Sequence, residues 1–488
     1  MMVLSLELRI KARQAVDELV GGIGEELDRR ERLDQIEKSL FRRLLELGKS
    51  LLQQAVDEVA DDEEQAAAES LPGEAGSVEA GSVEDAAGVA LQRVERKPRR
   101  LVTVFGELRI RGPVYAVRRK QKIQRAPVDE RLGLPAGEFS YLFEDWAQRM
   151  VVKDAFAEAA VSLHELLGID VSVRSLEGMN RRMAVDVEAF REQQPAPAAG
   201  DEGELLVVLS DATGVPMHRR GGKMQMAYLG ASYTVDRFRR TIDQVLDEVL
   251  RKQCAKNRPR PQNKRLYGDM TRAQPDDPDT EYDGRIGVFS WLSQEVSTRS
   301  VDGARPVICL MDGEHKLWDR KRELLPENVV EVLDLWHVMD RLWGVATALH
   351  GSDKAAARNF VATRLRQILA GRVGRVIGGL RQTLTKRRLS KAVTDTIAST
   401  ITYFSNNRDR MRYDECLREG YPIASGVIEG ACRHVVGDRL DRTGTRWTVD
   451  GAVSMLATRT TYLSDDWTDY QNFRIKREQT RRHPTAKT

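Results

Sequence analysis

The sequence predicts an α/β fold, because three short apolar runs each lead directly into an aspartate. Runs of this length that are rich in Val, Leu and Ile are typical of buried strands. In an open α/β sheet, the residues that follow parallel strands share one edge, and such folds place their sites there. The three runs are residues 204–210 before Asp211, residues 305–311 before Asp312 and residues 329–333 before Asp334.

Length and composition limit the class of protein. At 488 residues the chain exceeds what one hydrophobic core usually supports, so several folding units are expected. Hydrophobic residues make up 41% and charged residues 31%, a globular balance that argues against a disordered or fibrous chain. No run approaches the roughly 18 apolar residues of a spanning helix, and residues 1–10 alternate charge with leucine, unlike a secretory leader. We therefore expect a cytoplasmic protein without a membrane partner.

Composition shifts along the chain predict its domains. Residues 1–56 have partly helical apolar spacing, and an accessory helical region or an oligomerisation arm fits them equally well. A Pro/Ala-rich stretch, residues 193–203, is the clearest boundary. The predicted segments are 1–56, helical; 57–98, acidic linker; 99–192, hairpin plus helix-turn-helix-like DNA-binding region; 193–203, linker; 204–344, first part of the α/β domain; 345–412, helical insertion; 413–470, second part; and 471–488, basic tail.

Charge is segregated although the formal net charge is only +3. Residues 57–85 contain eleven Asp and Glu and no Lys or Arg. Residues 93–125, 237–272 and 474–487 are rich in Lys and Arg. Such segregation predicts a polyanionic partner more strongly than the net charge does.

A small β-hairpin is predicted in residues 101–115, where apolar and polar residues alternate about Gly106 and Glu107. Arg109 and Arg111 would then share one face of the hairpin. Two interpretations stay open for these arginines, namely solvated surface charges or contacts to a phosphate backbone.

A helix-turn-helix is predicted in residues 154–187. Residues 154–167 and 173–187 have helical patterns, and residues 168–172 between them begin with glycine. The second helix carries Arg174, Arg181 and Arg182, which suits a reader of the DNA major groove. A simple pair of packed helices fits the same pattern.

A third acid is expected from a helix that begins at Ser425, a good N-cap residue. The apolar positions 427, 428, 431, 435 and 436 form one stripe, and Glu429 lies inside the mostly apolar first turn. An acid there is costly unless a metal or hydrogen bonds offset its burial. Asp211, Asp312 and Glu429 could together hold two Mg²⁺ or Mn²⁺ ions for phosphodiester chemistry. A strand-end aspartate can equally be a turn former or a helix cap.

Several blocks of the chain resemble one known family, the ISKra-type insertion-sequence transposases. The match covers roughly residues 100–470, and the block around Glu429 is the most specific part of it. The resemblance implies an RNase H-like catalytic domain of the DDE class, with Asp211, Asp312 and Glu429 as catalytic metal ligands. The similar blocks are residues 211–216, 311–313, 333–343, 422–434, 437–440 and 446–447.

The resemblance extends to a D-x-x-H element formed by Asp334 and His337. Its implied role lies near the site, where it orients the scissile phosphate or a ligand. His337 could equally be a core histidine that holds Asp334. In the last block, Arg433, Arg446 and Trp447 are candidate DNA contacts, and Trp318, Trp336 and Trp447 are candidates for stacking on an unpaired base.

The implied activity is metal-dependent cleavage at transposon ends followed by strand transfer into target DNA. The implied partners are double-stranded terminal inverted repeats, target DNA and at least a second copy of the chain, in the nucleoid of a bacterium. Many relatives carry a C-x-x-C element after the hairpin, but the four cysteines here are widely spaced, so no structural zinc is expected. Alternatives are a structure-specific RNase H-like nuclease without strand transfer and a transposase-derived DNA-binding regulator.

Overall fold

The computed structural model describes residues 6–69, 83–84, 90–119, 121–218, 224–251, 257–274, 280–442 and 444–482. The first elements are α1 (Leu6–Asp28), α2 (Leu33–Glu69), β1 (Val83–Glu84), β2 (Ala90–Val94), β3 (Arg99–Thr103), β4 (Gly106–Ile110), β5 (Val114–Ala116), α3 (Pro127–Arg131), α4 (Tyr141–Val151), α5 (Phe156–Leu167), α6 (Val173–Ala184) and α7 (Val187–Gln193). The later elements are β6 (Leu205–Pro216), β7 (Met224–Val235), α8 (Ile242–Arg251), β8 (Gln262–Met270), β9 (Arg272–Ala273), β10 (Glu281–Tyr282), α9 (Gly284–Arg299), β11 (Val307–Met311), α10 (His315–Leu324), β12 (Val330–Leu333), α11 (Leu335–His350), α12 (Lys354–Leu369), α13 (Val373–Lys386), α14 (Lys391–Asn406), α15 (Tyr413–Glu419), α16 (Gly426–Ala431), α17 (Val449–Leu463) and α18 (Trp467–Arg482).

The chain divides into two compact units, one of residues 1–180 with 468–488 and one of residues 181–467. The second unit contains a mixed five-stranded sheet in the order β12-β11-β6-β7-β8. β12, β11 and β6 are parallel, whereas β7 is antiparallel to β6 and β8 to β7. β11 is buried throughout, as is β6 over residues 205–210, which is typical of a sheet covered on both faces. The α/β prediction is confirmed at this level.

The core of the second unit lies between this sheet and helices α9 and α10. Leu206 and Val208 of β6 pack with Phe289 of α9 and Trp318 of α10, and all four side chains are buried. Fully burying a side chain of this size contributes about 1.5–3 kcal/mol. These contacts fix the positions of β6 and β11, the strands that precede Asp211 and Asp312.

A buried ion-pair network joins α9 to the sheet. The guanidinium of Arg299 is fully buried and donates to Glu202 Oε1 at 2.9 Å and to Glu295 Oε2 at 3.0 Å. Ser232 of β7 donates to Glu295 at 2.6 Å, and Arg305 donates to Glu202 at 2.6 Å. Because buried charges are stable only when they are paired, the network makes Arg299 a sensitive position.

In the first unit, the predicted hairpin is confirmed as β3 and β4. The two strands pair from Arg99↔Ile110 to Thr103↔Gly106, and Gly106 has φ +119°, which favours glycine. Leu101 and Leu108 of the hairpin pack on Val59 of α2. The hairpin therefore rests on the long second helix.

The prediction of an acidic linker from residue 57 is wrong over residues 57–69, which continue α2. The acidic side chains there are neutralised by arginines of the same unit. Arg111 pairs with Asp57 at 3.0 Å and Asp61 at 2.8 Å, and Arg131 pairs with Asp62 at 3.0 Å. The ion pairs of Arg111 also make a phosphate contact a poor interpretation of that residue. The rest of the predicted linker lies partly outside the described residues, and within it residues 83–84 and 90–94 form strands β1 and β2 instead.

Much of the segregated charge is likewise satisfied within each unit. Arg93 pairs with Glu64 at 2.5 Å and Arg474 with Glu144 at 3.0 Å in the first unit. In the second unit, Glu248 accepts from Arg240 and Arg258, and Arg265 pairs with Glu295. Charge segregation in this sequence is therefore a weak signal for a polyanionic partner. The final six residues of the basic tail lie outside the described residues.

The segment between β12 and α16 is helical, as predicted for the insertion at 345–412. The insertion itself, residues 345–412, comprises the end of α11 and helices α12, α13 and α14. α5 and α6 lie where two helices were predicted, within three residues of the expected bounds, and Gly168 between them has φ +69°. None of the described helices is both long enough and apolar enough to cross a lipid bilayer.

Candidate active site

Three aspartates lie side by side across the parallel strands of the five-stranded sheet. The pairing of β11 with β6 ends at Met311↔Ser210, and that with β12 ends at Met311↔Leu333. Each strand of this ladder is followed directly by an aspartate at the carboxyl edge of the sheet. These aspartates, which we call the acidic row, are Asp211, Asp312 and Asp334. The sequence-based expectation that these acids share an edge is confirmed.

The local environment of Asp211 differs from the prediction of a loop. β6 does not end at Ser210 but continues through Asp211 to Pro216, paired with β7 up to Pro216↔Met224. The Thr-Gly-Val-Pro sequence that favoured a turn is held extended by this long antiparallel pairing. Asp211 is half-buried, and its Oδ1 accepts a hydrogen bond from the backbone N–H of Ala212 at 2.7 Å.

Asp312 lies at the start of the loop between β11 and α10. The side chain is half-buried, and its Oδ1 accepts from the Glu314 backbone N–H at 2.9 Å. The indole of Trp318 donates to the Asp312 carbonyl at 2.6 Å, which fixes the backbone at this point. Burial raises the pKa of Asp312, and the nearby charge of Asp211 raises it further. Asp211 therefore lies close enough to Asp312 for its charge to disfavour ionisation of Asp312.

Asp334 is a positioning residue in this structure rather than an open ligand. It is 1% exposed and caps α11 by accepting from the Trp336 backbone N–H at 3.1 Å. Its carboxylate also accepts from the hydroxyl of Ser425 and, at 3.3 Å, from the Ser425 backbone N–H. Burial raises the pKa of Asp334, while the hydrogen bond from Ser425 lowers it. Asp334 thereby ties the end of β12 to the segment that leads into α16.

His337 is not the core histidine that one interpretation allowed. Its side chain is 40% exposed, and its Nε2 lies 3.9 Å from Asp334 Oδ2. The ring instead lines an open cavity together with Asp312. His337 is therefore available to a ligand in that cavity.

Glu429 lies on α16, and the structure corrects two expectations about this helix. Ser425 does not cap α16 through its side chain, because its hydroxyl donates to Asp334 instead. Glu429 is exposed rather than enclosed by the apolar stripe, although Ile428, Ala431, Val435 and Val436 of that stripe are buried. Partial burial raises the pKa of Glu429, and the charges of Asp334 and then Asp211 raise it further, whereas His337 opposes them.

A π-helical turn, Cys432–Gly437, follows α16 without a break. Such turns insert an extra residue into a helix and are frequent at functional sites. Cys432 at its start is hydrogen-bonded to Asp211, with 3.4 Å between Sγ and Oδ2. Burial and the charge of Asp211 raise the pKa of this thiol. Sequence patterns gave no signal for this contact, which links the glutamate segment to β6.

The helical insertion contributes one wall of the site, which sequence reasoning missed. A cavity of about 740 Å³ opens beside Asp312. The ring of Tyr403 on α14 packs so closely on Gly313 that no side chain fits there. The guanidinium carbon of Arg341 lies 4.7 Å from the centroid of the same ring. The lining residues are Asp312, Gly313, Glu314, His315, His337, Asp340, Arg341, Ser399, Thr402, Tyr403, Asn406 and Asn407.

The donor chemistry of the acidic row fits a hard divalent cation, since carboxylate oxygens are the ligands that Mg²⁺ and Mn²⁺ prefer. His337 opposes the burial that raises the pKa values of Asp312 and Glu429. The acids are not assembled, however. In the part of the chain that the structure describes, no group of three His, Cys, Asp or Glu side chains converges as a metal site would require.

The predicted DNA contacts have different outcomes. Arg174, Arg181 and Arg182 are exposed on α6, and Arg433 and Arg446 are exposed in the second unit. Trp447, in contrast, is 7% exposed and donates to the Leu440 carbonyl at 2.8 Å. Trp318 is buried as well, so base stacking by either tryptophan is a wrong prediction. The large indoles pack in the interior because each finds a backbone acceptor there.

No protein-family model matches this chain, and no curated protein matches its sequence.

Proposed function

We propose that this protein is a DNA transposase of the insertion-sequence type, which cuts DNA at the ends of its element and joins those ends to target DNA. The observation that carries the proposal is the row of Asp211 and Asp312 on adjacent parallel strands, where burial and the charge of Asp211 raise the pKa of Asp312 and also that of Glu429. Perturbed carboxyl groups that cluster at a sheet edge are a signature of functional sites.

The order of elements supports an RNase H-like catalytic unit. β6, β7 and β8 form an antiparallel series, and β11 and β12 lie on the other side of β6, parallel to it. The helical insertion then separates Asp334 from the segment with Glu429. This order, with a long segment between the third acid-bearing strand and the glutamate helix, is the one that the resemblance to DDE transposases implies.

Asp211, Asp312 and Glu429 would hold two Mg²⁺ or Mn²⁺ ions, which when bound activate an attacking oxygen and stabilise a leaving one in phosphodiester substitution. The protein itself supplies orientation and charge. Asp334 fixes Ser425 and hence the start of the glutamate helix. His337 and Arg341 present cationic or hydrogen-bonding groups to the cavity, where a scissile phosphate would lie.

DNA contacts would come from exposed arginines of both units. Arg174, Arg181 and Arg182 on α6 suit the terminal repeats, and Arg433 and Arg446 follow Glu429 in the sequence. Double-stranded ends and target DNA are the proposed partners, in a complex with at least two copies of the chain.

A transposase-derived regulator that binds ends without cutting them is the second candidate. The observation that favours it is the lack of an assembled group of three ligands among the described residues. An RNase H-like nuclease without strand transfer would share the acidic row. A labelled duplex with the inverted repeats that flank the gene separates the three. Cleavage with joining supports the transposase, cleavage alone supports the nuclease, and binding alone supports the regulator.

A further inference from the structure

A basic cavity opens in the first unit, beside the start of β3 and the end of α18. Its volume is about 740 Å³, within the range of roughly 300–1,000 Å³ that is typical of ligand sites. Five of its lining residues are cationic and three are acidic. The cationic residues are Arg96, Arg99, Lys122, Arg481 and Arg482. All of them belong to the same compact unit.

The cavity lies where two basic stretches of the sequence meet, one around the β3–β4 hairpin and one at the end of α18. Two hydrogen bonds hold the end of α18 in this place. Glu478 accepts from the Ala136 backbone N–H at 3.1 Å, and Arg482 donates to the Leu134 carbonyl at 2.6 Å. The fold therefore brings these cations together from positions more than three hundred residues apart.

Arg99 is a buried cation with two unsatisfied donors. Its side chain is 10% exposed, and its Nη1 donates to the Gly137 carbonyl at 2.9 Å. Its Nε lies 3.4 Å from Asp129 Oδ2 without forming a hydrogen bond. Among the described residues, neither Nε nor Nη2 of Arg99 has a hydrogen-bond acceptor. Because buried donors in native proteins are almost always paired, the missing acceptor is expected from a bound group.

One acid of the cavity serves two arginines. Asp129 is 5% exposed, and its Oδ2 lies 3.4 Å from Arg99 Nε and 3.7 Å from Arg482 Nη2. Burial lowers the pKa of Arg99; the charge of Asp129 opposes this, while the charges of Arg482 and Arg96 lower the pKa further. Two other cations thus act on Arg99, whose acidic partner is already shared.

The remaining cations of the cavity lack acidic partners. Glu130 pairs with Arg125, which is not part of the lining, at 3.2 Å. Within the described residues, no carboxylate forms an ion pair with Arg96, Lys122 or Arg481. With five cations against three carboxylates, the lining has an excess of two positive charges.

A phosphate monoester matches this excess. Such a group carries about −1.5 to −2 charges at neutral pH and offers three acceptor oxygens. Arginine binds phosphate through two parallel hydrogen bonds, and the unsatisfied Nε and Nη2 of Arg99 form one edge of its guanidinium. A phosphodiester in the backbone of duplex DNA carries a single charge and lies between two sugars. A terminal phosphate therefore fits a concave site better than a backbone phosphate does.

We propose that the basic cavity binds a phosphate monoester, with Arg99 as the buried contact and Arg96 and Arg481 as exposed contacts. Two sources share this chemistry, namely a free nucleoside monophosphate and the 5′-phosphorylated end of a DNA strand. The second source rests on the proposed function, whereas the first does not. The binding itself requires neither the acidic row nor a metal ion.

The first test is calorimetric titration of the full chain with adenosine 5′-monophosphate and with adenosine, in the absence of DNA. The monophosphate is expected to bind, and adenosine is not. The double variant Arg96→Gln with Arg481→Gln should weaken binding of the monophosphate by roughly tenfold or more in Kd. Because both side chains are exposed and form no ion pair among the described residues, the variant should keep the wild-type Tm.

The matched control is Arg100→Gln with Arg119→Gln. It removes the same charge from two exposed arginines of the same unit that lie outside the lining, so binding should stay intact. Equal binding of adenosine and its monophosphate, or an equal loss of binding in the control, overturns the proposal.

Fluorescence anisotropy of a labelled single strand distinguishes the two sources. A strand with a 5′-phosphate is compared with the same strand carrying a 5′-hydroxyl. A preference for the phosphorylated strand that the Arg96→Gln, Arg481→Gln variant loses assigns the cavity to a DNA end. Binding of the monophosphate without such a preference assigns it to a free nucleotide. Absence of phosphate-dependent binding in both assays overturns the proposal.

Asp312→Ala separates this proposal from the proposed function. The variant should bind both probes like wild type, because Asp312 lies in the other compact unit. Phosphate-dependent binding without DNA cleavage would leave the basic cavity established and the transposase proposal refuted, and cleavage without such binding would do the reverse.

Discussion

Ser425→Ala removes the side-chain link between the acidic row and the glutamate segment. Ser425 is 2% exposed, and its hydroxyl donates to the carboxylate of Asp334, which is 1% exposed. After the substitution, Asp334 keeps the backbone N–H of Trp336 at 3.1 Å and that of Ser425 at 3.3 Å. The variant therefore leaves a buried carboxylate with one donor fewer and loosens the start of α16.

The expected magnitude follows from the type of bond that is lost. A hydrogen bond to a charged group contributes about 1.5–3 kcal/mol. For a unit of more than two hundred residues, each kcal/mol shifts Tm by about 2 °C, so a fall of roughly 3–6 °C is expected. Because Glu429 follows four residues later, cleavage should also require a higher Mg²⁺ concentration, while DNA affinity should stay unchanged.

The assays are thermal unfolding and DNA cleavage titrated with Mg²⁺, with Ser405→Ala as the control. The Ser405 hydroxyl donates to the Ile401 carbonyl at 2.7 Å within α14, a bond that contributes little to stability. Equal Tm values and equal Mg²⁺ requirements for the two variants would refute the positioning role of Ser425 and Asp334.

Two further substitutions test other parts of the account. Because the pKa of Asp312 is raised in the fold, its contribution to stability is greatest at low pH and is lost as the pH rises through that pKa. In EDTA, Asp312→Asn should therefore unfold at a higher temperature than wild type near neutral pH, and the difference should vanish in acid; a lower Tm for the variant at neutral pH would contradict this. Arg299→Met should cost about 3–5 kcal/mol in urea unfolding, since it strips a partner from two buried carboxylates. Arg320→Met, at a 30% exposed ion pair, should cost under about 1 kcal/mol, and similar losses for both variants would contradict the buried network.

The strand ends of the site could be predicted because their signals are local. An apolar run of five to seven residues followed by an aspartate marks both the buried strand and the point where it leaves the core. The parallel register then brings Asp312 and Asp334 together without further information. The same local rule failed for Asp211, because pairing with β7 continues the strand through a sequence that favours a turn.

Long-range electrostatics limited the prediction in the first unit. An acidic, Ala-rich stretch is a reasonable linker when taken alone. Arg111 and Arg131 pair with its acids, and the hairpin packs on Val59, so residues 57–69 remain helical instead. The partners lie some fifty to seventy residues away, and no local pattern could identify them.

The walls of the site depend on contacts of the same kind. Tyr403 and Arg341 border the cavity from α14 and α11, and Cys432 contacts Asp211 from the π-helical turn. No spacing of residues in the sequence indicates that the helical insertion or Cys432 lies beside the acidic row. Trp447 shows the opposite error. The sequence predicted that this aromatic residue stacks on an unpaired base, but its side chain is buried in the core.

The most direct test of the central claim is cleavage and joining of a labelled duplex with the flanking inverted repeats, in Mg²⁺ or Mn²⁺. Wild type is compared with Asp312→Ala, with Glu429→Gln and with Asp319→Ala, a control at an exposed acid on α10. We predict that the first two variants lose both activities but still bind the duplex, and that the control keeps both. Undiminished cleavage by Asp312→Ala or Glu429→Gln, or no cleavage by wild type, would contradict the proposed catalytic role of these acids.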